Sequence, residues 1–285
     1  MYSRREFGRI AAASIPVSIT FGASNSSVAG VQLGAQTNSF SDRPLDDAIN
    51  AMLETGISGC ELWQGHVEPR PKGGTAIDLR RWREQTPASY FQNIAGKFKQ
   101  AKIHLYAYDY QFHPDFEDGE IDRGFQMAKA LGVKCMVTSS ATLALAKRMA
   151  PFAEKHKMVV GMHGRTNTKD PNEFAGPENF ETALGFSRYI GVNLDIGHYF
   201  AAGFAPVSFI ERHHSRIVSI HLKDRKKNQG PTMPFGEGDT PLKECLLLLK
   251  RNRWDIPAHI ECDVRGGDRV AAFQKAFAYC KQVLA

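Results

Sequence analysis

From Val31 onward the chain alternates short apolar runs with amphipathic helical stretches, and this alternation restricts the fold more than any other feature. The strand-like runs are 31–37, 57–63, 102–108, 133–138, 158–163, 191–196, 217–222 and 257–262. Between and after them lie helical patterns over 44–54, 89–101, 120–131, 142–155, 177–189, 206–214, 241–251 and 268–283. Gly56, Gly132 and Gly191 stand at helix-to-strand turns, where a left-handed C-cap is wanted. Strands joined by crossover helices pair in parallel, and eight such units close most naturally into a (β/α)8 TIM barrel. An open doubly wound sheet ranks lower, because no GxGxxG turn follows any strand. The expectation is an α/β chain with one TIM-barrel domain over residues 30–285 and one helix after each strand.

In a barrel of this kind the carboxyl ends of the strands ring one mouth, where the chemistry sits. Four of these ends carry a polar residue that an apolar strand does not need: His163, Asp195, His221 and Glu261. Two imidazoles and two carboxylates make a mixed N/O donor set suited to a divalent cation such as Mn²⁺, Co²⁺, Zn²⁺ or Fe²⁺. Each residue also has a plainer reading, Asp195 as a turn cap and His221 as a core histidine. Glu261 resists such a reading, since burying an unpaired carboxylate costs several kcal/mol, on the order of 5. Around this set, His198, Lys223 and Arg165 are candidates to contact substrate hydroxyls or a developing oxyanion. Glu61 and Trp63 close the second strand, where a Trp can stack on a substrate face; the alternative is a Glu paired with an Arg beside a packing Trp. Tyr106 and His113 are candidates for a substrate platform or for the wall. The Gly- and Pro-rich segment 223–240 reads as a loop over the mouth, a lid.

The runs Leu194-Asp195-Ile-Gly-His198, Ser219-Ile-His221-Leu-Lys-Asp224 and Ile260-Glu261 together resemble the xylose isomerase-like barrels, the sugar phosphate isomerase/epimerase superfamily. The resemblance implies Asp195, His221 and Glu261 as metal ligands. It also implies a second glutamate on the fifth strand, with the two glutamates exchanging protons with a sugar. Here that place is taken by His163, which leaves Glu261 as the matched carboxylate base and Lys223, His198 or a metal-bound water to supply the second proton. The implied activity is a metal-dependent sugar isomerase or epimerase, with Mn²⁺ first among the metals, Glu261, Lys223 and His198 as the catalytic groups, and proton abstraction next to a carbonyl. A lyase acting on 3-keto-glycosides needs one base and one acid and is the runner-up. A non-catalytic periplasmic sugar- or metal-binding protein is the third reading. The ligand count falls short of the superfamily's DNA-repair endonucleases, which hold three zinc ions.

Ser3-Arg4-Arg5-Glu6-Phe7, the apolar stretch 10–23 and the small residues Ser27-Val28-Ala29 resemble a twin-arginine export signal over residues 1–29. The stretch is too short and too rich in Ala and Ser to span a bilayer. The expected partners are therefore the twin-arginine export machinery and a carbohydrate, the expected location is periplasmic or secreted after folding, and a free sugar is favoured over a phosphorylated one. The formal charge is +6. Cleavage after Ala29 would remove Arg4, Arg5, Arg9 and Glu6, lowering it to +4. The scattered basic residues read as solvated surface and not as a nucleic-acid face. The five cysteines, Cys60, Cys135, Cys245, Cys262 and Cys280, form no CxxC and read as buried free thiols. Oligomerisation stays open.

Overall fold

The structure is a computed structural model that describes residues 25–69, 76–262 and 267–285. Most of the segment assigned to the export signal lies outside these residues. Eight parallel strands form the barrel: β1 Val31–Gln36, β2 Gly59–Trp63, β3 His104–Asp109, β4 Cys135–Thr138, β5 Val159–His163, β6 Ile190–Asp195, β7 Ile217–Leu222 and β8 Ala258–Ile260. Each pairs with the next, and Leu33, Gly34 and Ala35 pair with Ala258, His259 and Ile260, so the sheet closes on itself. This is a single (β/α)8 TIM barrel, the predicted class. Ahead of it, Ser27–Val28 folds back antiparallel on Val31 and Gln32, and buried Ser26 donates its hydroxyl to the Leu33 carbonyl at 2.6 Å.

The outer ring consists of α1 Leu45–Thr55, α2 Ala76–Gln85, α3 Ala88–Gln100, α4 Asp118–Leu131, α5 Leu143–His156, α6 Pro177–Leu184, α7 Ile196–Ala201, α8 Pro206–His213, α9 Leu242–Asn252 and α10 Arg269–Leu284. Two of these were not expected. Helix α2 has a weak apolar stripe among its charged residues, so its pattern was not read, while α7 begins at Ile196, read from sequence as the end of a strand. One helix per strand is thus corrected to two after β2 and two after β6. Gly56 and Gly132 take the left-handed C-cap predicted for them, with φ of 80° and 71°. Gly191 instead lies inside β6, because α6 ends at Leu184. All five cysteines are buried and free.

Two register shifts shape the barrel interior. Between β2 and β3 the pairing runs Cys60 with Leu105 and then Glu61 with Ala107, so Tyr106 is an extra, bulged residue. Between β6 and β7 it runs Val192 with Ile217 and then Asn193 with Ser219, which makes Val218 the extra one. The two bulges are tied together, since Tyr106 donates its hydroxyl to the Val218 carbonyl at 2.9 Å. Tyr106 packs with Ala107, Cys135 and Val137, with Val159 and Val218 against them, in a small apolar plug separate from the main core. Gly161 and Gly191 make room for it, because a Cβ on Gly161 would lie 2.5 Å from Val218 and one on Gly191 2.9 Å from it. Each bulge reverses the alternation of the residues that follow it. That reversal decides which side chains face the site.

Candidate metal centre and substrate cavity

Beyond the apolar plug, the barrel interior is polar and hydrogen-bonded through a buried chain. His163 donates from Nδ1 to Asn193 Oδ1 at 2.6 Å, and Asn193 donates from Nδ2 to Ser219 Oγ at 2.6 Å. Ser219 reaches Glu61 at 3.5 Å, and Glu61 Oε1 accepts from His221 Nε2 at 2.8 Å. His259 Nδ1 lies 3.4 Å from the other Glu61 oxygen. Gly34 allows His259 to sit there, because a Cβ at that position would stand 2.5 Å from the imidazole. These contacts fix which nitrogen of each imidazole is left for the mouth: Nε2 of His163 and Nδ1 of His221.

Those two nitrogens meet the carboxylates of Asp195 and Glu261. Ligand atoms from His163, Asp195, His221 and Glu261 all lie within 4.8 Å of one another, close enough to hold one metal ion. Asp195 serves two purposes. Its Oδ1 caps α7 by accepting the His198 backbone N–H at 2.7 Å, while its fully buried Oδ2 accepts no hydrogen bond. This oxygen is met only by ion-pair contacts, Lys223 Nζ at 3.3 Å and His198 Nε2 at 3.5 Å, and keeps lone pairs that a divalent cation at this point would fit. The donor set and this orphaned oxygen together suit a divalent ion. Glu61, His221 and His259 also cluster within 4.8 Å, but there the donors face one another.

Lys223 stands against the same carboxylates, its Nζ 3.3 Å from Asp195 Oδ2 and 3.1 Å from Glu261 Oε2. Its backbone is met closely by α7, and a Cβ on Gly197 would drive into the Lys223 carbonyl, so the glycine of Asp195-Ile-Gly-His198 permits that approach. His198 accepts from Arg225 at Nδ1, 2.8 Å away, which turns its Nε2 toward Asp195 Oδ2 at 3.5 Å. The fields here are strong. Burial opposes the charge on Glu261, yet the Lys223 ammonium and the His221 hydrogen bond hold its carboxyl well below the usual range. Burial likewise opposes charge on His221, but Glu61 and Glu261 on its two sides raise it well above an ordinary imidazole. Against burial, His221 and His259 lower Glu61 to about 2. Burial, with Lys223 adding to it, drops His198 to about 3 and keeps it neutral.

A cavity of about 280 Å³ opens beside this cluster, lined by Gln36, Asn38, Trp63, Asp109, Gln111, Ser139, His163, His221 and Glu261. Of the residues expected to contact substrate, Trp63 lines it. Glu61 does not: it is fully buried and clamps His221 from within, paired with two histidines and with no arginine. Tyr106 is part of the apolar plug. His113 is exposed, with its ring against Phe116. Arg165 is tied to Glu173 at 3.0 Å and donates to the carbonyl of Ser139, beside the cavity. The 223–240 segment is fastened and not free. Buried Asp224 accepts backbone N–H groups of Gly236, Gly238 and Thr240 at 2.9, 3.0 and 3.3 Å. Sequence reasoning missed Gln36, Asp109 and Gln111. The signal that could have found them is their place at the ends of β1 and β3, on the same rim as the metal cluster.

A family model described as xylose isomerase-like TIM barrel matches residues 49–283. No curated protein matches the chain. Among solved structures, the chain is similar to the IolI protein with a bound zinc atom, at 15% identity and a TM-score of 0.67 over 89% of this chain and 98% of that one. It is also similar to the probable 3-DHS dehydratase AsbF of Bacillus anthracis, at 15% identity and TM-score 0.66, covering 87% and 98%. A third is 3-keto-D-glucoside 4-epimerase YcjR of E. coli, at 12% identity and TM-score 0.65, covering 88% and 99%. At such identities the likeness shows the fold alone. No helix among the described residues is long and apolar enough to cross a membrane. With the family model matching most of its length, the chain belongs to the xylose isomerase-like TIM barrels.

Proposed function

We propose that this protein is a divalent-metal-dependent carbohydrate isomerase or epimerase that removes a proton next to a carbonyl of a free sugar or keto sugar. The observation that carries the reading is the four-residue cluster with its orphaned Asp195 Oδ2, opening on a polar cavity of monosaccharide size. His163, Asp195, His221 and Glu261 would hold the ion, Mn²⁺ first. The bound cation supplies Lewis acidity toward adjacent carbonyl and hydroxyl oxygens. Glu261, about an eighth exposed and held ionised by Lys223, is the base within reach of the cavity. Lys223 and His198, expected to meet the substrate, do not line the cavity; Lys223 acts from behind the cluster, its ammonium 3.3 Å from Asp195 and 3.1 Å from Glu261. Trp63 offers an apolar face to a sugar ring.

A free sugar fits better than a phosphorylated one. The cavity is lined by amides, a serine and the carboxylate of Glu261, which would repel a phosphate, and Arg165 is already engaged by Glu173. One observation favours elimination as the second reading: His163 stands where a second facing glutamate would allow a symmetric two-base exchange. Export by the twin-arginine route belongs to the same proposal and rests on Arg4 and Arg5. Fused to a reporter, residues 1–30 should direct export that Arg4→Lys with Arg5→Lys abolishes.

The test of the activity is NMR in D₂O on the Mn²⁺-loaded protein with D-fructose and methyl 3-keto-D-glucopyranoside. Deuterium at one carbon of an epimer or isomer supports the proposal, an unsaturated product moves it to the lyase, and full turnover after EDTA treatment refutes the metal.

A further inference from the structure

The cavity has two unlike halves. The metal cluster comes from β5 to β8, and the facing wall comes from the ends of β1 to β4, where one carboxyl stands alone. Asp109 is the last residue of β3 and is 5% exposed. The bulge at Tyr106 points it into the barrel: Tyr108 stacks on Tyr110 in the surrounding core, and Asp109 faces the cavity.

Its surroundings are built. Gln36 Nε2 donates to Asp109 Oδ2 at 2.8 Å, and Gln111 Nε2 donates to Oδ1 at 2.5 Å. Neither amide is free to turn over. Gln36 Oε1 accepts the Asn38 backbone N–H, and Gln111 Oε1 accepts both the backbone N–H and the hydroxyl of Ser139. Each amide must therefore present its NH₂ group to Asp109. Among the described residues the carboxyl forms no ion pair, which a merely structural buried acid would need. Two neutral donors can hold a carboxyl in place whether or not it carries a proton.

Building on the carbonyl-adjacent proton transfer proposed above, we infer that Asp109 is the second proton-transfer group, working across the cavity from Glu261. Glu261 takes the proton of a C–H bond, and the electron pair left behind forms the carbon–carbon double bond of an enediolate. The O–H bond of protonated Asp109 then breaks toward the other face of that carbon, where the enediolate electron pair forms a new C–H bond and Asp109 is left as carboxylate. A proton lost from Glu261 to solvent and one gained by Asp109 from solvent complete the cycle. β3 and β8 lie three strands apart around the ring, so a sugar between them is approached from different sides. The field agrees: burial, with the charges of Glu61 and Glu261, raises the Asp109 carboxyl well above the usual range, against a smaller opposing pull from His221 and Gln111. The inference also supplies the carboxyl that His163 does not.

The experiment compares wild type with D109N, both loaded with Mn²⁺, in D₂O with methyl 3-keto-D-glucopyranoside and D-fructose as probes. Exchange of the substrate hydrogen and formation of the epimer are followed separately by NMR. Asp109 as proton donor predicts that epimer formation falls on the order of 10²–10⁴-fold, while exchange into recovered substrate, the work of Glu261, stays within about threefold and KM hardly moves. Exchange and epimer falling together, with KM raised, would make Asp109 a binding residue and overturn the inference alone. No exchange by the wild type would overturn the carbonyl-adjacent reading and the inference with it. An unchanged Mn²⁺ affinity and melting temperature in D109N confirms that the site is intact.

Discussion

Glu61→Gln offers the sharpest test of the buried support beneath the metal cluster. Glu61 is fully buried, 2.8 Å from His221 Nε2 and 3.4 Å from His259 Nδ1. Glutamine keeps the size and one acceptor for His221 but removes the charge. That charge stabilises positive charge on the far side of the imidazole, whether a proton or a metal at Nδ1. A divalent ion gains more from it than the single proton it displaces, so the net effect of removal is weaker metal binding. Losing the carboxylate partner of a ligating histidine costs about 10- to 100-fold in metal affinity, or about 1.4–2.7 kcal/mol. Ser219 and His259 should soften the loss, because both can reorient toward the amide at this range, and a value near the lower end is expected. Competition titration of Mn²⁺ and Zn²⁺ by calorimetry measures it, with Ser219→Ala as a control whose 3.5 Å contact should matter less. A wild-type affinity in a stably folded Glu61→Gln protein would refute the carboxylate–histidine–metal reasoning.

Other expectations follow from single contacts. Gly34→Ala would place a Cβ 2.9 Å from the Gly59 carbonyl as well as against His259, a backbone clash that should cost about 1–3 kcal/mol and show as a lowered midpoint in urea. In Gly238→Ala a Cβ would drive into Asp224 Oδ1, so the 223–240 loop should come loose and trypsin should cut at Lys226 or Lys227, whereas the wild type resists. Asp122 links α4 to α5 through Lys155 and His156, both at 2.7 Å; burial opposes its charge, but these bonds lower its pKa to about 2. Its share of stability is therefore present above an ordinary Asp pKa near 3.8 and lost as pH falls toward 2, a dependence that Asp122→Asn should flatten in acid unfolding curves.

The barrel was legible because each crossover helix forces parallel pairing, and eight repeats leave few other closures. Helix α2 was not, since Ala76–Gln85 is dominated by charged and polar side chains and has only a weak apolar stripe to read. The convergence of the candidate cluster was legible for a local reason: at strand ends, His163, Asp195, His221 and Glu261 interrupt apolar runs where burial should exclude them. What escaped was everything that depended on phase. Tyr106, Tyr108 and Tyr110 alternate as one aromatic face in sequence, which hides Asp109 on the opposite face as an outward residue. The bulge at Tyr106 inverts that assignment, and a bulge is set by pairing with a distant strand, here Cys60 and Glu61. Whether Asp195 caps or is free to ligate was equally beyond sequence, because the two do not compete: Oδ1 takes the helix N–H, and Oδ2, which accepts no hydrogen bond, stays on the side of the candidate metal cluster. A capping residue at the end of a barrel strand is thus no argument against a metal ligand. The cap fixes the carboxylate's rotation, and a fixed carboxylate loses less entropy when a cation binds.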